Sequence, residues 1–437
     1  VRLSIIALFF MSLHQREISA EDTVPVRKEI RSLTKNELGR YFNAVRQWQD
    51  GEVPEEISSI PNYSTFVALH GASTLYYDDE GIVDRMHFGS HFLPMHGALM
   101  LEFEKGIMYY DPTVAAHYWD WTTDPARIFK EDYVGEYDDQ NGTITNGYLK
   151  DWPVTKIGQV PDDKYAYLSW LSGSNATVPP RAPLPMDPES AIRAWDSFTN
   201  PSSTLGRAVG VSPFGVFAPP GTKDQVSTCV AKPSFKEHWC CVFFEDPDKC
   251  SPGDGESTLH GLVHAWYAGF FFFEPQNMSK GGYMYDGGDI VTSPNDPVWL
   301  LHHSQVERMH QAWQFNVGAG IATPDDPCGK YNVPNFTQVR LHGLYEPLYP
   351  QFSSTANNPA EMCLNFYRGD PLYVYDSYPD GIEPPKPEDN KKDSEEAPSA
   401  ETEPASMLED DSGGAGRPFV MGPVLSIVTF GFWAWVG

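Results

Sequence analysis

Apolar residues return at helical spacing in four stretches of this chain. Over residues 27–49 the series Ile30, Leu33, Leu38, Tyr41, Phe42, Val45 and Trp48 marks one face of a packing helix, with Thr34 as a cap ahead of Glu37. Residues 64–76 carry His70. Residues 92–110 read as a long amphipathic helix beginning after Pro94, where a missing amide is not needed. The period returns at 257–268 and at 296–316. Between 124 and 255 the chain is rich in proline, glycine, aspartate and aromatic residues, so loops are expected to dominate there. The pattern predicts a mainly α architecture, a helical bundle with long irregular loops and minor strands outside it.

Histidines within these stretches change the picture. His260 and His264 stand four apart, which on a helix puts both imidazoles on one face, one turn or about 6 Å apart. A third imidazole comes from the adjacent pair His302 and His303, whose side chains diverge by about 100° on a helix, so one of the two is expected to face the others. Upstream, His70, His87 and His96 form a second set. Two sets of three match a paired-metal site. A di-iron bundle would draw on inward carboxylates, and a zinc peptidase would carry Glu where Gly261 stands. All-imidazole ligation suits copper, which heads the divalent affinity order.

The motifs resemble those of the type-3 copper proteins, the family of tyrosinases, catechol oxidases and haemocyanins. They stand here as His87 to His96 around Phe92-Leu-Pro-Met-His96, then His260 and His264, then Asn295-Asp-Pro-Val-Trp-Leu-Leu-His302-His303-Ser-Gln-Val-Glu307-Arg308. Val26-Arg27-Lys28-Glu29-Ile30, Tyr118-Trp119-Asp120-Trp121 and Tyr373-Val-Tyr375 extend the match to roughly residues 25–380. The resemblance implies a tyrosinase-like helical bundle around a dicopper centre, with His70, His87 and His96 on one copper and His260, His264 and His303 on the other. It selects His303 over His302 by its place after Asp296. Asp296 is expected to orient a ligand or cap the helix, and Arg308 to support the site. His91 is expected to be solvated or to lie beside the ligands, and His310, where relatives carry Trp, to be a packing substitution. Arg85 stands where many relatives have a cysteine cross-linked to the middle histidine, so no thioether is expected. Met95, Gly97 and Glu307 replace the usual Trp, Arg and Asp at supporting positions.

The resemblance further implies oxidation of o-diphenols to o-quinones by O2 at the copper pair, with no protein nucleophile and a small phenol as substrate. Alternatives are a tyrosinase that also hydroxylates monophenols and a haemocyanin-like oxygen carrier. Carriers of the family are repeated domains or very large assemblies, whereas one core is legible here, which points to an enzyme. Monophenol hydroxylation in the family is linked to a water held by an Asn after the first histidine of the second site together with an upstream Glu. Gly261 and Ala265 offer no side chain for that water, and Glu256 supplies at most the carboxylate. An o-diphenol oxidase is therefore expected.

Composition bears on partners and location. Against 31 Lys plus Arg stand 59 Asp plus Glu, which argues against nucleic acid or an anionic membrane surface as partner. Residues 1–20 start positive and run apolar, as a secretory signal does. Sequons at Asn62, Asn141, Asn175, Asn277 and Asn335 fit a secreted glycoprotein. The 6 cysteines are expected to form disulfides, with adjacent Cys240 and Cys241 taking different partners. Residues 21–380 are expected to form one oxidase domain. After it come an acidic stalk at 381–417 and an apolar tail at 418–437, either a GPI-attachment signal or a transmembrane anchor.

Overall fold

Thr34 opens the first helix through a reciprocal cap: its Oγ1 accepts from the Glu37 amide at 3.3 Å, and the Glu37 carboxylate accepts from the Thr34 amide at 2.8 Å. A computed structural model of the chain describes residues 24–156, 202–243, 259–272, 282–317 and 373–383, apart from breaks at 55–56, 59, 75, 79–80, 84–86, 88–91, 213–214 and 217–219. Helix α1 spans Lys35–Asp50 and buries Leu38, Tyr41, Phe42, Val45 and Trp48, the face that the spacing marks. Helix α2 spans Tyr63–Thr74 and α3 spans Phe92–Tyr110. The latter begins two residues before Pro94 rather than after it. Amides of the first helical turn have no intrahelical acceptor, so proline is tolerated anywhere within that turn. At Gly106 the Trp48 ring comes so close that a Cβ would lie 2.7 Å from its Nε1, which brings α1 onto α3.

Helices α4 (Lys223–Val230) and α5 (Phe235–Phe243) fall inside the stretch read as loop. They are short, and a disulfide between Cys229 and Cys241 ties one to the other. Cys240 is also disulfide-bonded, so the adjacent cysteines do take different partners. Cys250, Cys328 and Cys363 lie outside the described residues. Helix α6 (Leu259–Ala268) packs against α5, and α7 (Val298–Val317) runs through the centre against α3. The described residues thus hold seven helices and only two-stranded sheets, a mainly α fold.

The antiparallel pairs are β2 (Tyr76–Asp78) with β3 (Gly81–Val83), β4 (Val211–Ser212) with β5 (Gly215–Val216), and β6 (Phe270–Phe272) with β7 (Gly282–Met284). Strand β1 (Val26–Arg27) pairs in parallel with β8 (Val374–Tyr375). Two ion pairs lie in the core. Arg27 grips Glu104 of α3 through two bonds at 3.0 and 2.9 Å, and Arg207 grips Asp296 ahead of α7. Removing one partner of such a pair costs about 3–5 kcal/mol, because the other charge is left buried alone. No helix among the described residues is long and apolar enough to cross a membrane.

Candidate metal centre

Helix α2 supplies His70, the segment ahead of α3 supplies His87, and the first turns of α3 supply His96. All three are buried, with ring centroids 5.0, 5.2 and 5.8 Å apart. His70 Nδ1 lies 3.2 Å from the Val291 carbonyl and His96 Nδ1 lies 2.8 Å from the Phe92 carbonyl. A carbonyl only accepts, so each ring carries its proton on Nδ1 and turns a bare Nε2 lone pair inward. Neither Nε2 has a hydrogen-bond partner.

The second group is tighter. His260 and His264 come from α6, one helical turn apart, and His303 from α7. Their Nε2 atoms form a triangle with sides of 3.1, 3.2 and 3.4 Å. His264 Nδ1 lies 2.8 Å from the Gly287 carbonyl, with the Tyr267 hydroxyl at 3.1 Å. The ring of His260 is held differently, lying between Phe243 and His302 at interplanar angles of 22° and 18°. His302, which the resemblance passed over in favour of His303, lies in the same group, fully buried with its ring against that of His260. The two groups meet where His96 and His303 stack at 4.5 Å and 13°. Trp299 closes the seam with its ring 3.9 Å from His303, 5.5 Å from His70 and 5.8 Å from His96.

Burial holds His70, His96, His260, His302 and His303 well below the ordinary imidazole range, and neighbouring imidazoles push the same way. For His264 burial brings the value down to about 3, against the opposing bond to Gly287. Neutral imidazoles with inward lone pairs repel one another at such distances. A cation between them turns that repulsion into ligation, and metal–nitrogen bonds of about 2 Å place the nitrogens of one metal roughly 3 Å apart. The donor set fits a metal at each group, all nitrogen, without carboxylate or thiolate.

The other expected residues take more distant places. Asp296 caps α7 by accepting from the Val298 amide at 3.0 Å and is otherwise engaged by Arg207. Arg308 turns from the histidines to Gln305, to the Ser377 carbonyl and to the face of Tyr118. Gly261 and Ala265 are half-buried on α6 beside His260 and His264. His310 packs in a stack with His238 and Trp313. Glu256, His91 and Arg85 lie outside the described residues. Sequence reasoning missed the carbonyls of Val291 and Gly287, which no side-chain signature can announce. It also assigned no part to Trp299, although that residue stands within the quoted motif, or to Tyr267, legible only as an apolar helix position.

The family model described as the common central domain of tyrosinase matches residues 61–316, from the start of α2 to the end of α7. The chain belongs to the tyrosinase family. A tyrosinase of Streptomyces lincolnensis is 28% identical over 302 residues, covering 66% of this chain and 82% of the relative. Grixazone synthase of Streptomyces griseus is 27% identical over 376 residues, covering 81% and 99%. Among solved structures, a polyphenol oxidase variant from Thermothelomyces thermophila is 20% identical with a TM-score of 0.48, covering 81% of this chain and 89% of that one. Membership and the two imidazole groups together make the cofactor a pair of copper ions, O2 the co-substrate and the protein a copper oxidoreductase.

Proposed function

We propose that His70, His87 and His96 hold one copper and His260, His264 and His303 the other, and that the pair oxidises o-diphenols to o-quinones. Two diphenols lose two electrons and two protons each, and one O2 is reduced to two waters. The observation that carries the reading is the face-to-face placement of the two imidazole groups across the His96–His303 stack. Bound copper supplies the redox couple between substrate and O2. The chain fixes ring orientation through the Val291, Phe92 and Gly287 carbonyls, and the shell of aromatic rings keeps the site dry. Preference for diphenols over monophenols is supported by Gly261 and Ala265, which carry no polar atom to hold a water that would take the phenol proton. We place the oxidase in the secretory pathway or outside the cell, a reading that the Cys229–Cys241 disulfide and the sequons support.

Copper content together with oxygen uptake on catechol and tyramine tests this reading. Expected are two coppers per chain and rapid uptake on catechol with little on tyramine. His264→Ala should lose one copper and the activity. Gly261→Asn should raise turnover of tyramine relative to catechol. Tyramine consumed as fast as catechol by the wild type, without a lag, would show that another base serves the site. Reversible O2 binding without consumption of catechol would make the protein a carrier instead.

A further inference from the structure

Two imidazoles on different helices take their orientation from one short stretch of backbone. The Gly287 carbonyl meets Nδ1 of His264 on α6 at 2.8 Å, and the Val291 carbonyl meets Nδ1 of His70 on α2 at 3.2 Å. Each triad therefore has one member aimed by residues 287–291. Between those two carbonyls a side chain ties the segment together. Asp289 Oδ1 accepts from the amides of Val291 and Thr292, both at 2.9 Å, and from the Thr292 hydroxyl at 3.2 Å. Its own amide donates to the Asp286 carbonyl at 3.0 Å, and its carbonyl accepts from Ser293 at 2.8 Å. Upstream, the buried Asp286 carboxylate is fixed by Asn295 Nδ2 at 3.0 Å.

We propose that Asp289 is a positioning residue for both coppers at once, acting through the path of residues 287–291 and not through contact with either metal. A carbonyl that turns by a fraction of its hydrogen-bond cone turns the imidazole it holds, and losing such an outer partner typically costs about 10- to 100-fold in metal affinity. Because His70 and His264 share the segment, a disturbance of it reaches both sites together. The inference rests on the ligand assignment proposed above.

The copper-loaded full-length protein is titrated with a Cu(I) chelator, bathocuproine disulfonate, while native mass spectrometry counts chains with two, one and no copper. Asp289→Ala should give up both coppers at chelator concentrations roughly 10- to 100-fold lower than the wild type. Asp289→Asn keeps the accepting oxygen at the same reach and should behave as the wild type. Asp289→Glu keeps the charge but moves the oxygen, and should behave as the alanine variant. If Asp289→Ala does not fold, the Asn and Glu variants decide by themselves. Loss of only one copper at lowered chelator overturns the shared-segment reading, as does retention of both by a folded Glu variant. A wild-type chain that never holds two coppers would instead overturn the ligand assignment.

Discussion

Glu307 is a carboxyl that the fold prefers to keep protonated. It is buried on α7, and burial pushes it up to about 7, against the opposing effects of the Tyr373 hydroxyl at 2.7 Å, Arg27 and Gln311. A carboxyl raised in the native state contributes stability that is full below the unfolded value and is lost as pH rises through the native one. The window runs from 4.5 to about 7, and the whole effect is on the order of 3 kcal/mol. The buried imidazoles act in the other direction. His238, brought down to about 4 by burial, and His310, held well below its ordinary range by burial, must be neutral in the fold, so they weaken it as pH falls below 6.5. The two effects partly cancel in the wild type. Glu307→Gln keeps an acceptor for Tyr373 and removes one of them. In urea titrations from pH 4 to 8, the variant should match the wild type near pH 4 and exceed it above pH 7. Parallel curves throughout would show that Glu307 is already charged in the fold.

Helix α6 brings His260 and His264 into the second histidine group, and its end depends on one glycine. Gly269 follows Ala268 with φ of +72°, its amide bonds the Ala265 carbonyl at 3.0 Å, and a Cβ there would lie 1.7 Å from the Ala208 carbonyl. The left-handed cap alone costs an L-residue about 1–2 kcal/mol, and the clash with backbone adds to it. Gly269→Ala should therefore lower the melting temperature of the apo-protein by well over 4 °C. A shift under about 2 °C would mean that the backbone at Ala208 yields freely. Helices α3, α6 and α7 were legible because their apolar spacing is regular, and α6 also because the i, i+4 histidine pair has a chemical meaning. Thr34 was legible for a similar reason, since its cap needs only a local pattern. Helices α4 and α5 were not, because eight or nine residues make too few turns to show a period. Their signals lay elsewhere. Thr222 and Gln225 form a capping box, with amide bonds at 3.2 and 2.8 Å, and the disulfide holds the pair afterwards. Nor could the role of residues 287–291 be read, since their contribution is made by carbonyls that every residue owns.

At the scale of the molecule, the two ends of the described core are fastened to each other and to the central helix. Val26 and Arg27 pair in register with Val374 and Tyr375, and Arg27 donates to Tyr375 Oη at 3.0 Å while its guanidinium lies 3.3 Å from the centre of the Tyr373 ring. From there the C-terminal segment grips α7 at successive turns. Tyr375 Oη donates to the Ser304 carbonyl at 2.8 Å, Tyr373 to Glu307 at 2.7 Å and Tyr378 to Gln311 at 3.1 Å, and Arg308 of α7 donates back to the Ser377 carbonyl at 2.7 Å. Ser304 directly follows His303, so the clamp closes on the turn that presents this imidazole. A chain ending at Glu383 keeps every one of these contacts. It should fold, melt close to the full-length protein and hold two coppers. A chain ending at residue 372 loses the β1–β8 pairing and leaves Arg27 and Glu307 without the tyrosines they are packed against. Stripping buried partners of this kind costs several kcal/mol, a large part of the 5–15 kcal/mol that keeps a domain folded. That shorter chain should melt far lower and hold less than one copper at the second site, measured by calorimetry and by metal analysis after gel filtration. Two tightly held coppers in the chain ending at 372 would place the end of the oxidase domain before β8 and deny the clamp its part in holding His303.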